Sequence, residues 1–339
     1  MLWLTAPLCI SDTGITFACR EDISLVRIVL KRILHMIPVL LVVVSLAFFV
    51  TRILPSDPAV MILGAEASAE DIAQLRDNLG LNDNILTQYV SYLLDLLHGN
   101  FGKSYVYKKP VINMIMNVLP NTVTLAIGGV FVATILGIPL GILAATHRNR
   151  LPDYCVSAIT LIGVSTPLFW LGLVLTLFFS VKLRWLPVMG TGNLKNGIWD
   201  YISHMILPIL TISTVPLANV LLITRSSVIN VLEKDLYKSL IAFGIPKYKI
   251  LGKHILKNAL PAIINVVGIQ LASALTGAIL TETVFNWPGL GKLTADAITG
   301  RDYNLVQGCI LFMAVVYIIV NLITDIITYC VNPQFAENT

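Results

Sequence analysis

An all-α polytopic membrane protein with six transmembrane helices is the fold class this sequence predicts, and three observations carry it. Of the 339 residues, 56% are hydrophobic and only 12% are charged, against about 25% charged in an average soluble domain. No globular core hides that much apolar surface. Six apolar runs, near residues 33–54, 122–146, 154–181, 204–224, 262–284 and 306–330, are each long enough to cross about 30 Å of hydrocarbon. The basic residues then set an orientation. With the N-terminus inside, thirteen of the 23 Lys and Arg residues fall on cytoplasmic segments, and five of the other ten lie in or beside one long loop that translocation treats leniently. Both termini and the loop 225–261 are therefore expected in the cytoplasm. The net charge of +4 follows from this topology; it brings the chain against anionic lipid and calls for no nucleic-acid partner.

Taken in order, residues 1–27 form an N-terminal extension: an apolar patch without a basic n-region or a small-residue cleavage site is not a signal peptide. The first transmembrane helix occupies 28–54. Leu54-Pro55-Ser56-Asp57-Pro58 punctuates its exit. Residues 55–120 are expected to form a small helical lobe outside the membrane. In it, Ser68 with Asp71 makes a capping box for a helix through Leu79 that Gly80 ends, and a second helix runs from about Asn84 to Leu97. Residues 121–330 hold five further spans with mostly short connections, the core of the fold, and 331–339 form a cytoplasmic tail. Pro139, Pro167 and Pro216 lie within spans and predict kinks there, while Gly128, Gly129, Gly137 and Gly141 allow close helix packing.

The most informative connection is 225–261. Val228, Leu232, Leu236 and Leu240 recur every fourth residue and form an apolar stripe on one helix, opposite Glu233, Lys234, Asp235 and Lys238. Gly244 closes that helix and Ile245-Pro246 prevents its continuation. A second short helix presents Lys249, Lys253 and Lys257 on one face, with Ile250, Leu251 and Ile255 turned elsewhere. Two short amphipathic helices with a glycine hinge at a membrane face suit the docking of a soluble partner.

Few residues suggest chemistry. Glu282, near the outer end of the fifth span, either lines a passage or caps and pairs locally; Asp325 in the sixth reads as structural. Cys9, Cys19, Cys155, Cys309 and Cys330 are scattered without a CxxC, which argues against a disulfide framework or a zinc site. A phosphate-cradling GxxxxGK[ST] loop is lacking: before Gly102-Lys103-Ser104, the position for the first glycine is Leu97. Gly163-Val164-Ser165 resembles a nucleophile motif only superficially, because no later span places a histidine where it would act as base. Ser165-Thr166-Pro167 reads instead as a kinked packing segment. No catalytic residue and no cofactor site are expected in this chain. An ATP-independent carrier or channel is the rival reading, but inverted repeats and broken helices with coupling-ion ligands are not evident.

Ordered blocks from Arg27 to Gln334 give the chain a family resemblance. They include RILPSDP (52–58), GNFGKS (99–104), GIPLGILAA (137–145), STPLFWLGL (165–173), TRSS (224–227), ETVFNWPGLGKL (282–293) and RDYNLVQG (301–308). Together they resemble the membrane permease subunit of ATP-binding-cassette importers of the dipeptide, oligopeptide and nickel uptake family.

The resemblance implies a type I importer permease fold and a place in a bacterial or archaeal cytoplasmic membrane. It implies pairing with a second, homologous permease, with two cytoplasmic ATPase subunits that bind ATP and magnesium, and with an extracytoplasmic solute-binding protein. The loop 225–261 resembles the segment through which such permeases dock on their ATPases. By position, Lys238-Ser239-Leu240 occupies the site of that segment's Glu-Ala-Ala triplet, from which it departs in residue type. Asp235, Ala242, Gly244 and Ile245 complete the expected docking set. Glu282, Ser165 and Trp170 are the expected passage residues. The implied solute is a peptide, with glutathione, nickel or a metal chelate as alternatives.

Overall fold

In the computed structural model of the chain, the described residues are 16–53, 58–64, 67–78, 80–193, 195, 197–233, 237, 239, 242–246 and 249–331. Among them the structure is helical: α1 (Thr16–Ile53), α2 (Pro58–Leu63), α3 (Ala69–Asn78), α4 (Ile85–Leu97), α5 (Val111–Thr146), α6 (Leu151–Ser165), α7 (Leu168–Leu175), α8 (Ile198–Leu232), α9 (Leu256–Gly277), α10 (Ile279–Val284), α11 (Leu290–Thr299) and α12 (Tyr303–Val331). Two π-helical stretches, Thr176–Lys182 and Ile250–Ile255, continue α7 and lead into α9. Among the described residues, five helices are long and apolar enough to span a bilayer, and the bent pair α6–α7 makes a sixth crossing if its two halves count as one.

The centre of the bundle is the pair α5 and α8, which run side by side in one direction. Gly129 lies against Ile212, Gly137 against Val220 and Gly141 against Thr224, a constant register. A β-carbon on Gly141 would sit 2.8 Å from the Leu221 carbonyl oxygen, so backbone meets backbone here as the small-residue pattern predicts. Of the four apolar clusters among the described residues, three are spaced from one end of the bundle to the other. One, at the α11 end, joins Val111, Ile115, Leu290, Leu305 and Cys309. A middle cluster holds Leu125, Ala126, Ile212 and the fully buried Trp287. The third, at the far end, packs Val228 and Ile229 against Ile250, Ile255, Ala259 and Ile263.

The outlying α1 is held near its middle and near its C-terminal end by α12. Arg32 Nε meets Asp325 Oδ2 at 3.3 Å, and Gln307 donates to the Ala47 carbonyl at 3.2 Å and also to Thr51. Phe48 and Phe49 of α1 face Tyr89 of α4, whose hydroxyl lies 2.6 Å from that of Ser45. Outward leucines such as Leu34 and Leu46 remain exposed, as lipid-facing side chains do.

Several boundaries differ from the sequence-based expectation. The capping box is as expected, with Ser68 Oγ 3.1 Å from the Asp71 N–H, and Asn84 caps α4 through the Leu86 N–H. But α1 begins at Thr16, inside the stretch read as an extension, and α5 reaches back to Val111, because helical backbone runs past the apolar window that hydropathy detects. The fifth span ends at Gly277 and Glu282 belongs to the separate helix α10. The third span is not one helix: α6 and α7 meet at 101°. Pro167 lacks the N–H that would continue the ladder, and Thr166, just before it, is extended with φ −85° and ψ 124°.

Candidate functional site

At the far end of the bundle, the chain leaving α8 forms a part-buried, part-exposed elbow. Ile250 and Ile255 are sunk in the third apolar cluster, and Tyr237 and Ile245 pack against it. Between them Ser239, Ala242, Phe243 and Gly244 are exposed, and Phe243 is 82% exposed. The Phe243 N–H donates to the Ser239 carbonyl at 3.0 Å, which is the final turn of a helix, and Gly244 then takes φ +75°. That conformation, rather than lack of room, selects glycine, since nothing lies within 4 Å of where its β-carbon would be. Asp235, Lys238 and Leu240 of the expected docking set, with Lys234 and Leu236, lie outside the described residues.

Immediately behind the elbow, two ion pairs tie α6 and the loop before it to the end of α8. Arg225 Nε and Nη2 donate to the two oxygens of Asp153 at 2.6 and 2.8 Å, a bidentate fork, and the Asn149 N–H donates to the same carboxylate at 3.0 Å. At the C-cap of α8, Glu233 pairs with Arg148 of the loop between α5 and α6. Asp153 is buried. In the sequence, Arg148 and Arg225 stand out as basic residues expected on the cytoplasmic side, with nothing immediately beside them to show a carboxylate partner. The signal available was a carboxylate in the first turn of a helix, just after Arg148 and Arg150.

The opposite end of the bundle holds two further polar nodes. Glu282 is fully buried. Its Oε1 accepts from Thr122 at 2.7 Å and its Oε2 from the Lys292 N–H at 2.9 Å, while Thr122 Oγ1 accepts from the Leu290 N–H at 2.7 Å. The N-terminus of α11 is thus capped by side chains of two other helices, a favourable place for a carboxylate. Gly289 passes so close to Glu282 that a β-carbon there would collide with the carboxylate. Trp287 Nε1 donates to the Asn121 carbonyl at 3.1 Å, and Asn121 returns a bond to the Pro288 carbonyl at 2.8 Å. Of the alternatives for Glu282, local capping describes its geometry.

In the second node Asp302 gathers residues some 200 positions away. It accepts from Ser104 Oγ and from the N–H groups of Tyr105 and Val106 at 3.2 Å each, and from the Leu305 N–H at 3.2 Å. Asn304 donates to the Lys103 carbonyl at 2.7 Å. Burial pushes the Tyr105 phenol above its ordinary range. The GNFGKS and RDYNLVQG blocks are therefore two halves of one structure.

Between the ends, a cavity of about 220 Å³ opens beside the bend of α6–α7, lined by Leu168, Ile212, Pro216, Gln270, Ser273 and Thr281, among others. Ser165 and Trp170 flank the bend and are exposed. Glu282 follows the cavity residue Thr281 but turns its carboxylate to α11. The structure thus does not gather Ser165, Trp170 and Glu282 around one point. Among the described residues, no three His, Cys, Asp or Glu side chains come together as a metal site would need.

Comparison with known proteins places this architecture. The sequence profile described as "binding-protein-dependent transport system inner membrane component" matches residues 137–337, and the profile for the N-terminal part of such membrane components matches 25–126. A dipeptide transport system permease protein of Alkalihalophilus pseudofirmus is 37% identical over 325 residues, covering 90% of this chain and 98% of that one. A glutathione transport system permease protein of Escherichia coli (strain K12) is 38% identical over 305 residues, covering 90% and 97%. A probable peptide ABC transporter permease protein of Sinorhizobium fredii is 35% identical over 306 residues, covering 90% and 98%. Among solved structures, a chain of an inward-facing methionine ABC transporter superposes with TM-score 0.52 at 18% identity, covering 65% of this chain and 97% of that one, a likeness of fold alone.

Proposed function

We propose, from the premise that this chain belongs to the family of binding-protein-dependent transport system inner membrane components, that its solute is a small peptide or a peptide-like molecule of the glutathione class. The chain is a multi-pass permease subunit of an ATP-driven importer and not itself an enzyme; ATPase subunits and a solute-binding protein complete the system. Peptide and glutathione permeases related along nearly their whole length support this choice of solute. The reading further pairs this chain with a homologous permease as a heterodimer, places both termini in the cytoplasm, and assigns ATP and magnesium to two partner ATPases.

The observation that carries the mechanism is the elbow after α8. An aromatic side chain held out in water at a helix end, with Tyr237 before it and Ile245 after it packed on the bundle, is a docking knob on a rigid mount. Ser239, Ala242 and Gly244 share its exposed side, so Phe243 joins the docking set suggested by the sequence. ATP binding draws the two ATPases together and the docked elbows follow. The ion pairs Arg148–Glu233 and Arg225–Asp153 carry that displacement into α6, and the bundle alternates its access between the two sides.

Copurification and vesicle transport test this reading. The assembled complex takes up a dipeptide only with ATP and the binding protein, and the ATPase subunits copurify with the permease. Uptake driven by an ion gradient with the ATPases removed would overturn it in favour of a secondary carrier.

A further inference from the structure

In the cavity beside the bend, the Gln270 and Ser273 side chains have no hydrogen-bond partner among the described residues. We infer that this cavity is this chain's share of the solute passage, in which the Gln270 amide and the Ser273 hydroxyl bond the backbone amide groups of a peptide solute. The inference rests on the importer reading above and adds the residues that touch the cargo.

Three lines of geometry converge there. Gln270 and Ser273 are three residues apart on α9 and so share a face, and both line the cavity. Neither side chain has a hydrogen-bond partner among the described residues. Gln270 is half-buried and Ser273 exposed, so water or a ligand reaches both groups.

The backbone gives the second line. The helix breaks at Ser165-Thr166-Pro167, with Ser165 and Pro167 exposed, and Leu168 just beyond the break also lines the cavity. Gly163 of α6 lies against Thr214, near the middle of α8. Non-helical backbone at such a depth is tolerated only where protein buries it or water reaches it.

The third line is the chemistry of the walls. The lining residues carry no charge: one carboxamide and two hydroxyls stand among apolar groups. Such a set bonds the amide group common to all peptides without selecting their side chains. The volume of about 220 Å³ is below the roughly 300–1,000 Å³ of a complete ligand pocket, so a facing permease supplies the remaining wall.

The experiment uses the full importer in vesicles. Gln270→Leu and Ser273→Val each raise the apparent KM for a zwitterionic dipeptide by on the order of fivefold, the effect of one lost hydrogen bond, while ATP hydrolysis stimulated by the binding protein persists. In a cysteine-free background, Gln270→Cys reacts with a water-soluble thiol reagent, and saturating dipeptide slows that reaction. An unreactive cysteine, as lipid or a partner helix covering the face would give, overturns the inference, as does labelling that dipeptide leaves unchanged or an unaltered KM in both variants. Loss of ATP-dependent uptake in the unsubstituted complex would instead refute the importer reading itself.

Discussion

Asp153 and Arg225, 72 residues apart, meet in a bidentate fork where the first half of the broken span leaves its loop and α8 runs toward the exposed elbow. The pair joins the part of the protein that a cytoplasmic motor would move to the part that bends. Removing one partner strands a partly buried charge. Asp153→Ala is expected to destabilise the folded permease by on the order of 3 kcal/mol, read as a lower Tm of the detergent-solubilised complex. Exchanging the residues (Asp153→Arg with Arg225→Asp) recovers part of that loss. A double exchange no better than either single change would show that the two side chains act independently.

Phe243→Ala leaves the bundle intact, because the ring touches little of it, and weakens retention of the ATPase subunits during purification. The expected loss is at least 2 kcal/mol of association, the scale of an aromatic interface anchor, measured by titrating ATPase onto the permease in nanodiscs. Undiminished association would remove Phe243 from the docking surface.

At Gly244 the strain is conformational. A β-branched residue must either adopt φ near +75° at a cost of about 1–2 kcal/mol or re-aim the elbow. Gly244→Val therefore lowers solute uptake per ATP hydrolysed more than it lowers the thermal stability of the bundle. Normal uptake by this variant would argue against a rigid lever.

The cap of α11 predicts an order of severity. Glu282→Gln keeps the shape and an acceptor but brings an N–H group against a donor; Glu282→Ala removes the acceptor altogether and strands the Lys292 N–H and the Thr122 hydroxyl in an apolar surround. The alanine variant is the more destabilised, by about 1–3 kcal/mol for the unsatisfied polar groups. Gly289→Ala, which drives a methyl group into the carboxylate, yields the least folded protein of the three by fluorescence-detected size exclusion. Equal yields for all three would mean that the cap contributes nothing to the fold.

Asp302→Ala releases the turn at Ser104–Val106, which depends on that one carboxylate for a hydroxyl and two N–H groups. Limited trypsin cleavage at Lys103 or Lys108 should accelerate severalfold with the spans undisturbed. Unchanged cleavage would show that other contacts hold the turn.

Much of this was readable from local chemistry. The apolar runs, the Ser68–Asp71 cap, the small-residue packing of Gly141 and the halt at Gly244 depend on residues within a turn or two of one another. Pro167 signalled a kink, but its 101° angle is set by what α7 packs on, including Phe285 against Gly172, which no local pattern encodes. The same limit hid the nodes. Thr122 meets Glu282 and Ser104 meets Asp302 across more than 150 residues, so each partner looked like an ordinary polar residue beside a span. Phe243 was overlooked because an aromatic residue in an amphipathic helix is expected to face inward, and only its burial tells otherwise.

The tie between Arg32 and Asp325 has a bearing on biosynthesis. The first helix enters the bilayer carrying a guanidinium whose counter-charge is made only when the final helix emerges from the ribosome, and the Gln307 bonds to Ala47 and Thr51 wait equally long. Until then α1 has its contacts with α4 through Ser45, Phe48 and Phe49, and a nascent chain cut short before residue 325 would leave Arg32 without its counter-charge.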